Sequence, residues 1–149
     1  MPTIEESVSI NVPPAKVFAF MADGNNAVVY DSSVTRSQQQ GEGEPSVGTR
    51  WKGASKVLGR EFEWVSECTE LEQDRLLALK SVEGKLPFSI RTDFVPEGDG
   101  TRLTYTLTAD SGLGGVFGKL AEPLVVKAQT RTVKANLATL KDLLENDAV

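Results

Sequence analysis

The sequence predicts an α+β fold in which a curved antiparallel sheet of about seven strands wraps around a long C-terminal helix. Turn-forming residues recur at short intervals over residues 3–109, and the segments between them alternate apolar and polar side chains. Residues 116–146 instead carry apolar side chains at the three- and four-residue spacing of an amphipathic helix. An antiparallel sheet with one apolar face needs a cover, and this helix is the largest apolar element left to supply it.

The N-terminal part is predicted to form one strand followed by two short helices. Valine and isoleucine alternate with polar residues over Thr3–Val12, which is the period of a strand with one buried face. The Pro13-Pro14 pair ends this strand, and Pro14 can open a helix because the N–H that proline lacks would be unbonded there. A second short helix is predicted at Asn25–Tyr30, with Asp23 or Asn25 as its N-cap.

Six further strands are predicted, most of them from the same two-residue alternation, whereas Leu76–Val82 is more apolar and gives no clear facing. Gly59 and the Glu97–Gly100 segment each lie between two neighbouring strands, and both predict tight hairpin turns. The six strands are Thr35–Gln40, Gly48–Leu58, Glu61–Leu71, Leu76–Val82, Pro87–Val95 and Thr101–Ala109.

The C-terminal helix carries two apolar faces rather than one. Counted at about 100° per residue, the two faces lie nearly opposite each other. Pro123 lies between them, so a break or kink is predicted at Glu122-Pro123, and one straight helix buried on both sides is the alternative. The first face holds Phe117, Leu120, Ala121 and Leu124, and the second holds Val126, Thr130, Val133, Leu137, Leu140 and Leu144.

Length and composition are those of a globular protein. The chain has 149 residues, 40% of them hydrophobic and 25% charged, and we expect a single domain over residues 1–146. Sixteen Lys and Arg against 21 Asp and Glu give a net charge of −5, which disfavours nucleic acid as a partner. Because we find neither a secretion signal nor an apolar run near the ~18 residues of a membrane span, we expect a cytoplasmic protein without stable membrane insertion.

Histidine and cysteine usage excludes several kinds of site. The chain has no histidine, which excludes a His-based catalytic triad, a His-ligated zinc and a haem held by His. Cys68 is the single cysteine, so it can neither form an internal disulfide nor ligate a structural metal alone. We therefore expect no metal and no cofactor, and we interpret Cys68 as a buried, inert thiol.

Several segments resemble those of a known superfamily over nearly the whole chain. The opening segment INVPPAKVFAFMAD at Ile10–Asp23, the strand entry VGTRW at Val47–Trp51 and the hairpin GDGTRLTY at Gly98–Tyr105 resemble the SRPBCC superfamily. This superfamily includes START lipid-transfer domains and polyketide cyclase/dehydrase-like proteins. The resemblance implies the helix-grip fold and a cavity between sheet and helix. Relatives commonly carry a Trp near the position of Tyr30, and this difference could alter the mouth of the cavity.

Aromatic side chains on the predicted concave face form the candidate ligand site. They are either the wall of a pocket for an apolar or aromatic ligand or ordinary core, because aromatic residues fill both. Tyr30 at the mouth, Phe117 in the loop before the helix and Thr130 on the helix join the candidate set. The residues on the concave face are Trp51, Phe62, Trp64, Phe88, Phe94 and Tyr105.

Small polar side chains also occur on the apolar faces. Their hydroxyl or thiol groups either bind a ligand or bond to nearby backbone, and the second is favoured because Ser and Thr do this readily. These residues are Ser55, Ser66, Cys68, Thr92 and Thr130. The glycine-rich loop Ser111–Gly118 lacks the Gly-Lys-Ser/Thr of a phosphate loop. We interpret it as a gate over the cavity mouth, as a linker to the helix or as a plain turn.

Three functions from different classes remain open. The first, which we favour, is binding or transport of a hydrophobic small molecule such as a lipid, a polyketide or an aromatic metabolite. The second is an enzyme of the polyketide cyclase/dehydrase type, with Tyr105, Asp31 and Arg131 as weak catalytic candidates for proton transfer. The third is a solid-cored interaction module that dimerises through Leu113 and Phe117, so the chain is either a monomer or a homodimer.

Overall fold

The computed structural model describes residues 3–57, 59–85, 87–109 and 123–147. Within these residues seven strands form one antiparallel sheet in the order β1-β7-β6-β5-β4-β3-β2. The strands are β1 (Thr3–Ile10), β2 (Val34–Gln40), β3 (Arg50–Val57), β4 (Arg60–Glu72), β5 (Leu76–Gly84), β6 (Phe88–Glu97) and β7 (Gly100–Ala109). The helices are α1 (Pro14–Ala22), a 3-10 helix (Gly24–Asn26), α2 (Ala27–Tyr30) and α3 (Pro123–Glu145).

This architecture confirms the predicted fold class, with small shifts at the ends of elements. The first strand ends at Ile10 rather than Val12, although Val12 stays buried and its carbonyl accepts a hydrogen bond from Thr101 Oγ1 at 2.7 Å. The predicted second helix divides into a 3-10 turn and α2. Asp23 caps the 3-10 turn, because its carboxylate accepts from the backbone N–H of Asn25 at 3.1 Å.

Both predicted hairpins have two-residue turns. Val57 pairs directly with Arg60, and Gly59 adopts a φ of +79° in the turn between them. Glu97 pairs directly with Gly100, and Gly98 adopts a φ of +59°. Glycine suits these positions because positive φ carries no steric penalty without a Cβ.

The core lies between the inner face of the sheet and helices α1 and α3. On α3 the second predicted face is the one that packs, with Val133, Leu137, Leu140 and Leu144 all buried. Leu124, from the opposite face, is 81% exposed. The other residues of that face, and with them the predicted break at Glu122-Pro123, lie outside or at the edge of the described residues, so the break stays a prediction.

The end of α3 is fixed against β1 and α1 by polar contacts. Glu145 accepts hydrogen bonds from the backbone N–H of Asn11 and from Lys141 Nζ, both at 2.7 Å. Lys141 Nζ also donates to the carbonyl of Ser9 at 2.6 Å. These contacts join the C-terminal end of α3 to the end of β1 and to the residue that follows it.

Candidate functional site

A cavity of about 170 Å³ lies between the inner face of the sheet and the N-terminal part of α3. Its wall is mainly apolar, with Ile4, Leu77, Ile90 and Leu107 from the sheet and Val126 from the helix. The volume exceeds the ~150 Å³ that accepts a benzene ring and falls short of the ~300 Å³ at which pockets for drug-sized ligands begin. At the present side-chain positions the cavity therefore suits a molecule of one or two rings.

Four of the six aromatic residues predicted on the concave face line this cavity: Trp51, Trp64, Phe88 and Tyr105. Phe94 lies on the same face of β6 but is fully buried in the core, where its ring meets that of Phe18 edge-to-face at 5.4 Å. Phe62 is half-buried on β4, opposite Ser55, and lies outside the described cavity wall. The concave face thus serves partly as core and partly as cavity wall.

The other candidate ligand residues have different positions. Tyr30 lines the cavity, as predicted for the mouth. Thr130 lies outside the cavity wall, and its hydroxyl donates to the carbonyl of Val126 at 2.8 Å along the helix. Phe117 and Leu113, like the rest of the Ser111–Gly118 loop, lie outside the described residues.

The two tryptophans differ in how their indole N–H groups are satisfied. Trp64 Nε1 donates to Ser55 Oγ at 2.9 Å, and its ring meets Phe88 edge-to-face at 5.8 Å. Trp51 is 2% exposed, and its Nε1 has no hydrogen-bond partner among the described residues. Gly24 packs closely on the Trp51 ring, since a Cβ at that position would lie 2.6 Å from Nε1.

A polar cluster lies at one part of the otherwise apolar wall. Asp31 Oδ1 accepts three hydrogen bonds: from the Ser33 N–H at 2.9 Å, from Ser33 Oγ at 2.7 Å and from Asn136 Nδ2 at 3.0 Å. Asn136 Oδ1 in turn accepts from the backbone N–H and the hydroxyl of Ser32, both at 3.1 Å. Asn136 therefore ties the turn between α2 and β2 to α3.

Asn136 was missed in the sequence analysis. It is 8% exposed, and it lies three residues after Val133 and four before Leu140, on the buried side of the helix. A polar residue at such a position needs a partner. This is the signal by which the sequence could have identified it.

Tyr30 and Tyr105, whose pKa values are affected by the Asp31 charge, keep their protons at neutral pH. Burial raises the pKa of Tyr30, and the neighbouring Asp31 carboxylate adds to the rise. The pKa of Tyr105 is raised by burial first, then by the Asp31 carboxylate and by Tyr30. Both tyrosines line the cavity, and their neutral hydroxyls can donate and accept hydrogen bonds.

Two of the three catalytic candidates share the cavity. Asp31 and Tyr105 both line it, whereas Arg131 is exposed on α3 and lies outside the cavity wall. The three residues therefore do not meet at one site. Arg131 is one residue, or about 100°, away from Thr130 on the helix, which turns it from the sheet.

The remaining polar candidates are mostly engaged in local bonds. Cys68 is fully buried, its thiol donates to the carbonyl of Glu70 at 3.4 Å, and burial raises its pKa. A thiol with a raised pKa is a poor nucleophile. Ser66 and Thr92 line the cavity. In the described ranges no group of three or more Cys, Asp or Glu side chains could hold a metal ion.

No helix within the described parts of the chain is both long enough and apolar enough to cross a membrane.

Comparisons with known proteins identify a family for this chain. Residues 1–145 match the model of the family described as polyketide cyclase / dehydrase and lipid transport. A comparison with curated proteins finds no significant match.

Solved structures share the fold over nearly the whole chain. A protein of Thermus thermophilus is 24% identical, with a TM-score of 0.82 over 99% of this chain and 100% of that one. A START superfamily protein of Mycobacterium smegmatis is 14% identical, with a TM-score of 0.73 over 97% of each chain. The Zhui aromatase/cyclase of Streptomyces sp. R1128 is 18% identical, with a TM-score of 0.71 over 98% of this chain and 92% of that one.

These likenesses confirm the helix-grip fold that the sequence resemblance implied. The family model covers the first strand, the whole sheet and α3. The chain therefore belongs to the polyketide cyclase / dehydrase and lipid transport family.

Proposed function

We propose that this protein binds a small, largely apolar molecule in the cavity between the sheet and α3 and carries it without chemical change. One observation supports this most directly: the inner face of the sheet and the helix leave a space of about 170 Å³ with a mainly apolar wall. Filling such a space with a ligand removes apolar surface from water, at roughly 25 cal/mol per Å².

The position of the tryptophans makes binding easy to follow. The chain contains two tryptophans, Trp51 and Trp64, and both line the cavity. A ¹⁵N-labelled sample thus gives two indole N–H signals, and each reports on the cavity wall. We choose 2-methylnaphthalene as the probe because it is uncharged, has two rings and carries no hydrogen-bonding group.

The test uses a variant that fills the cavity and a matched variant on the outside of the sheet. Ser66→Phe adds a ring to the wall beside Trp51, with which Ser66 pairs across β3 and β4. Ser89→Phe makes the same change on the exposed face of β6. Thermal unfolding checks that both variants fold.

We expect 2-methylnaphthalene to shift both indole signals saturably in the wild type and in Ser89→Phe. In folded Ser66→Phe the affinity should fall at least tenfold, because the added ring occupies the ligand's space. Unshifted indole signals in the wild type, or equal affinities in the two folded variants, would refute the proposal.

An enzyme of the cyclase type is the second candidate, and the proximity of Asp31 and Tyr105 is the observation that favours it. In such an enzyme the Asp31 carboxylate would accept a proton and the neutral Tyr105 hydroxyl would stabilise a developing oxyanion. Turnover of a genuine substrate that is unchanged in both Asp31→Asn and Tyr105→Phe would exclude this role.

For the surroundings of the protein we propose the cytoplasm, without a nucleic-acid partner. The net charge of −5 supports the absence of such a partner, and the unpaired thiol of Cys68 fits a reducing compartment. Cell fractionation with an antibody to the native protein would test the compartment.

A further inference from the structure

The charged groups of the cavity wall are of one sign. Among the described residues that line it there is one carboxylate, that of Asp31, and no lysine or arginine. The basic residues of α3, such as Arg131 and Lys134, are exposed instead. A ligand in this space therefore meets a negative charge with no described cation to offset it.

Asp31 lines the cavity, and one of its two carboxylate oxygens makes no hydrogen bond to the described residues. Oδ1 already accepts three hydrogen bonds from Ser33 and Asn136, whereas Oδ2 has no partner within the described part of the chain. The hydroxyls of Tyr30 and Tyr105 also have no hydrogen-bond partner in the described ranges, and both lie close enough to Asp31 for its charge to affect them.

The contacts of Asp31 also fix its orientation. The Ser33 backbone N–H comes from the start of the edge-strand segment, and the Asn136 amide comes from α3, so two elements hold the same oxygen. With Oδ1 held in this way, Oδ2 is a positioned acceptor rather than a mobile charge. A positioned acceptor favours a ligand that has a donor at the matching place.

We infer that Asp31 is a specificity-determining residue: the cavity selects uncharged ring compounds that carry a hydroxyl donor for Asp31 Oδ2, and it rejects carboxylates of the same size. A ligand hydroxyl at this place can also accept from Tyr30 or Tyr105, which satisfies both of its hydrogen-bonding capacities. A ligand carboxylate would face the Asp31 charge in a largely apolar space, where repulsion is poorly screened.

This inference rests on the proposed function, and a series of three matched naphthalenes separates the two. The series is 2-methylnaphthalene, 2-naphthol and 2-naphthoate, which share the ring system and differ in the group attached to it. At pH 7 the first two are uncharged and the third is an anion. The indole signals of Trp51 and Trp64 give the affinity of each for the full chain.

For the wild type we expect 2-naphthol to bind about tenfold more tightly than 2-methylnaphthalene, a ratio that corresponds to one charge-assisted hydrogen bond. We expect 2-naphthoate to bind at least tenfold more weakly than 2-naphthol. Asp31→Asn should reduce the advantage of 2-naphthol and raise the affinity for 2-naphthoate, since it removes the charge. Asp93→Asn removes a carboxylate that pairs with Arg91 outside the cavity, and it should leave all three affinities unchanged.

The outcomes distinguish failure of the inference from failure of the proposed function. If none of the three compounds binds the wild type, the proposed function fails. If they bind but 2-naphthoate equals or exceeds 2-naphthol, or if 2-naphthol has no advantage over 2-methylnaphthalene, the role of Asp31 is refuted while ligand binding stands. The wild-type series decides this even if Asp31→Asn does not fold.

Discussion

Replacing Asn136 by alanine tests whether the polar cluster is a structural joint as well as part of the cavity wall. The change removes the amide that donates to Asp31 Oδ1 at 3.0 Å and the oxygen that accepts two bonds from Ser32 at 3.1 Å. A hydrogen bond to a charged group is worth about 1.5–3 kcal/mol and a neutral one about 0.5–1.5 kcal/mol. Because the two Ser32 bonds share one acceptor, we count them as one, and we expect the free energy of unfolding to fall by about 2–4.5 kcal/mol.

The measurement is urea unfolding followed by tryptophan fluorescence, with the slope m checked to be unchanged. Asn146→Ala is the matched control, since Asn146 lies near the end of the same helix, is exposed and makes one bond from its Nδ2 to the carbonyl of Asp142. A substitution at such an exposed position should cost less than about 0.5 kcal/mol.

A double-mutant cycle that combines Asn136→Ala with Asp31→Ala isolates the interaction energy between these two side chains. If the bond between Asn136 and Asp31 forms as described, the double variant should be more stable than the sum of the single losses predicts, by about 1.5–3 kcal/mol. If the two single losses of stability add to the loss of the double variant within about 0.5 kcal/mol, the two side chains do not interact. That result would refute the structural role of this contact.

Two further predictions concern pH. Because the pKa values of Tyr30 and Tyr105 are raised, the folded state keeps its phenolic protons while unfolded tyrosine ionises near pH 10. The contribution of these groups to stability should therefore be full below about pH 10 and fall above it. Replacing either tyrosine by phenylalanine should make this fall less steep. Because these are the two tyrosines of the chain, absorbance of tyrosinate at alkaline pH checks this directly, and native protein that titrates near pH 10 would contradict it. Glu145 behaves oppositely: its hydrogen bonds from Lys141 and the Asn11 N–H lower its pKa, so its contribution is present above about pH 4.3 and lost as the pH falls through the lowered value. Glu145→Gln should therefore weaken the acid-side loss of stability in urea titrations, and an unchanged acid profile would count against this contact.

The sequence predicted the strands well because their alternation is local. A side chain on a strand takes one of two faces, and residue spacing alone decides which. How deeply a side chain on the inner face is buried does not depend on local residue spacing. Phe88 and Phe94 share one face of β6, yet Phe88 lines the cavity whereas Phe94 packs against Phe18 of α1. The difference depends on which helix covers each end of the sheet, which spacing does not record.

The helix shows the same limit for polar residues. Spacing placed Val133, Leu137 and Leu140 on the buried face, and the structure agrees. Arg131 was named as a catalytic candidate for its chemistry, but it is exposed and lies outside the cavity wall. Asn136 could be recognised as buried but not as the partner of Asp31, which lies 105 residues earlier in the chain. Such a contact is set by tertiary structure alone.

The described cavity is costly to maintain when empty. Wall atoms without neighbours lose dispersion contacts. A solid core could remove this cost by enlarging small wall residues such as Ala27, Ser37 or Ser66. The fold instead uses hydrogen bonds from two elements to orient Asp31 beside that space. The bonds to Oδ1 stabilise the fold, whereas Oδ2 bonds to none of the described residues. Next to an apolar space, Oδ2 can give a bound molecule both affinity and a required orientation. A bound ligand explains both the apolar space and the orientation of the Asp31 Oδ2 atom beside it. Folding stability alone does not explain the two together.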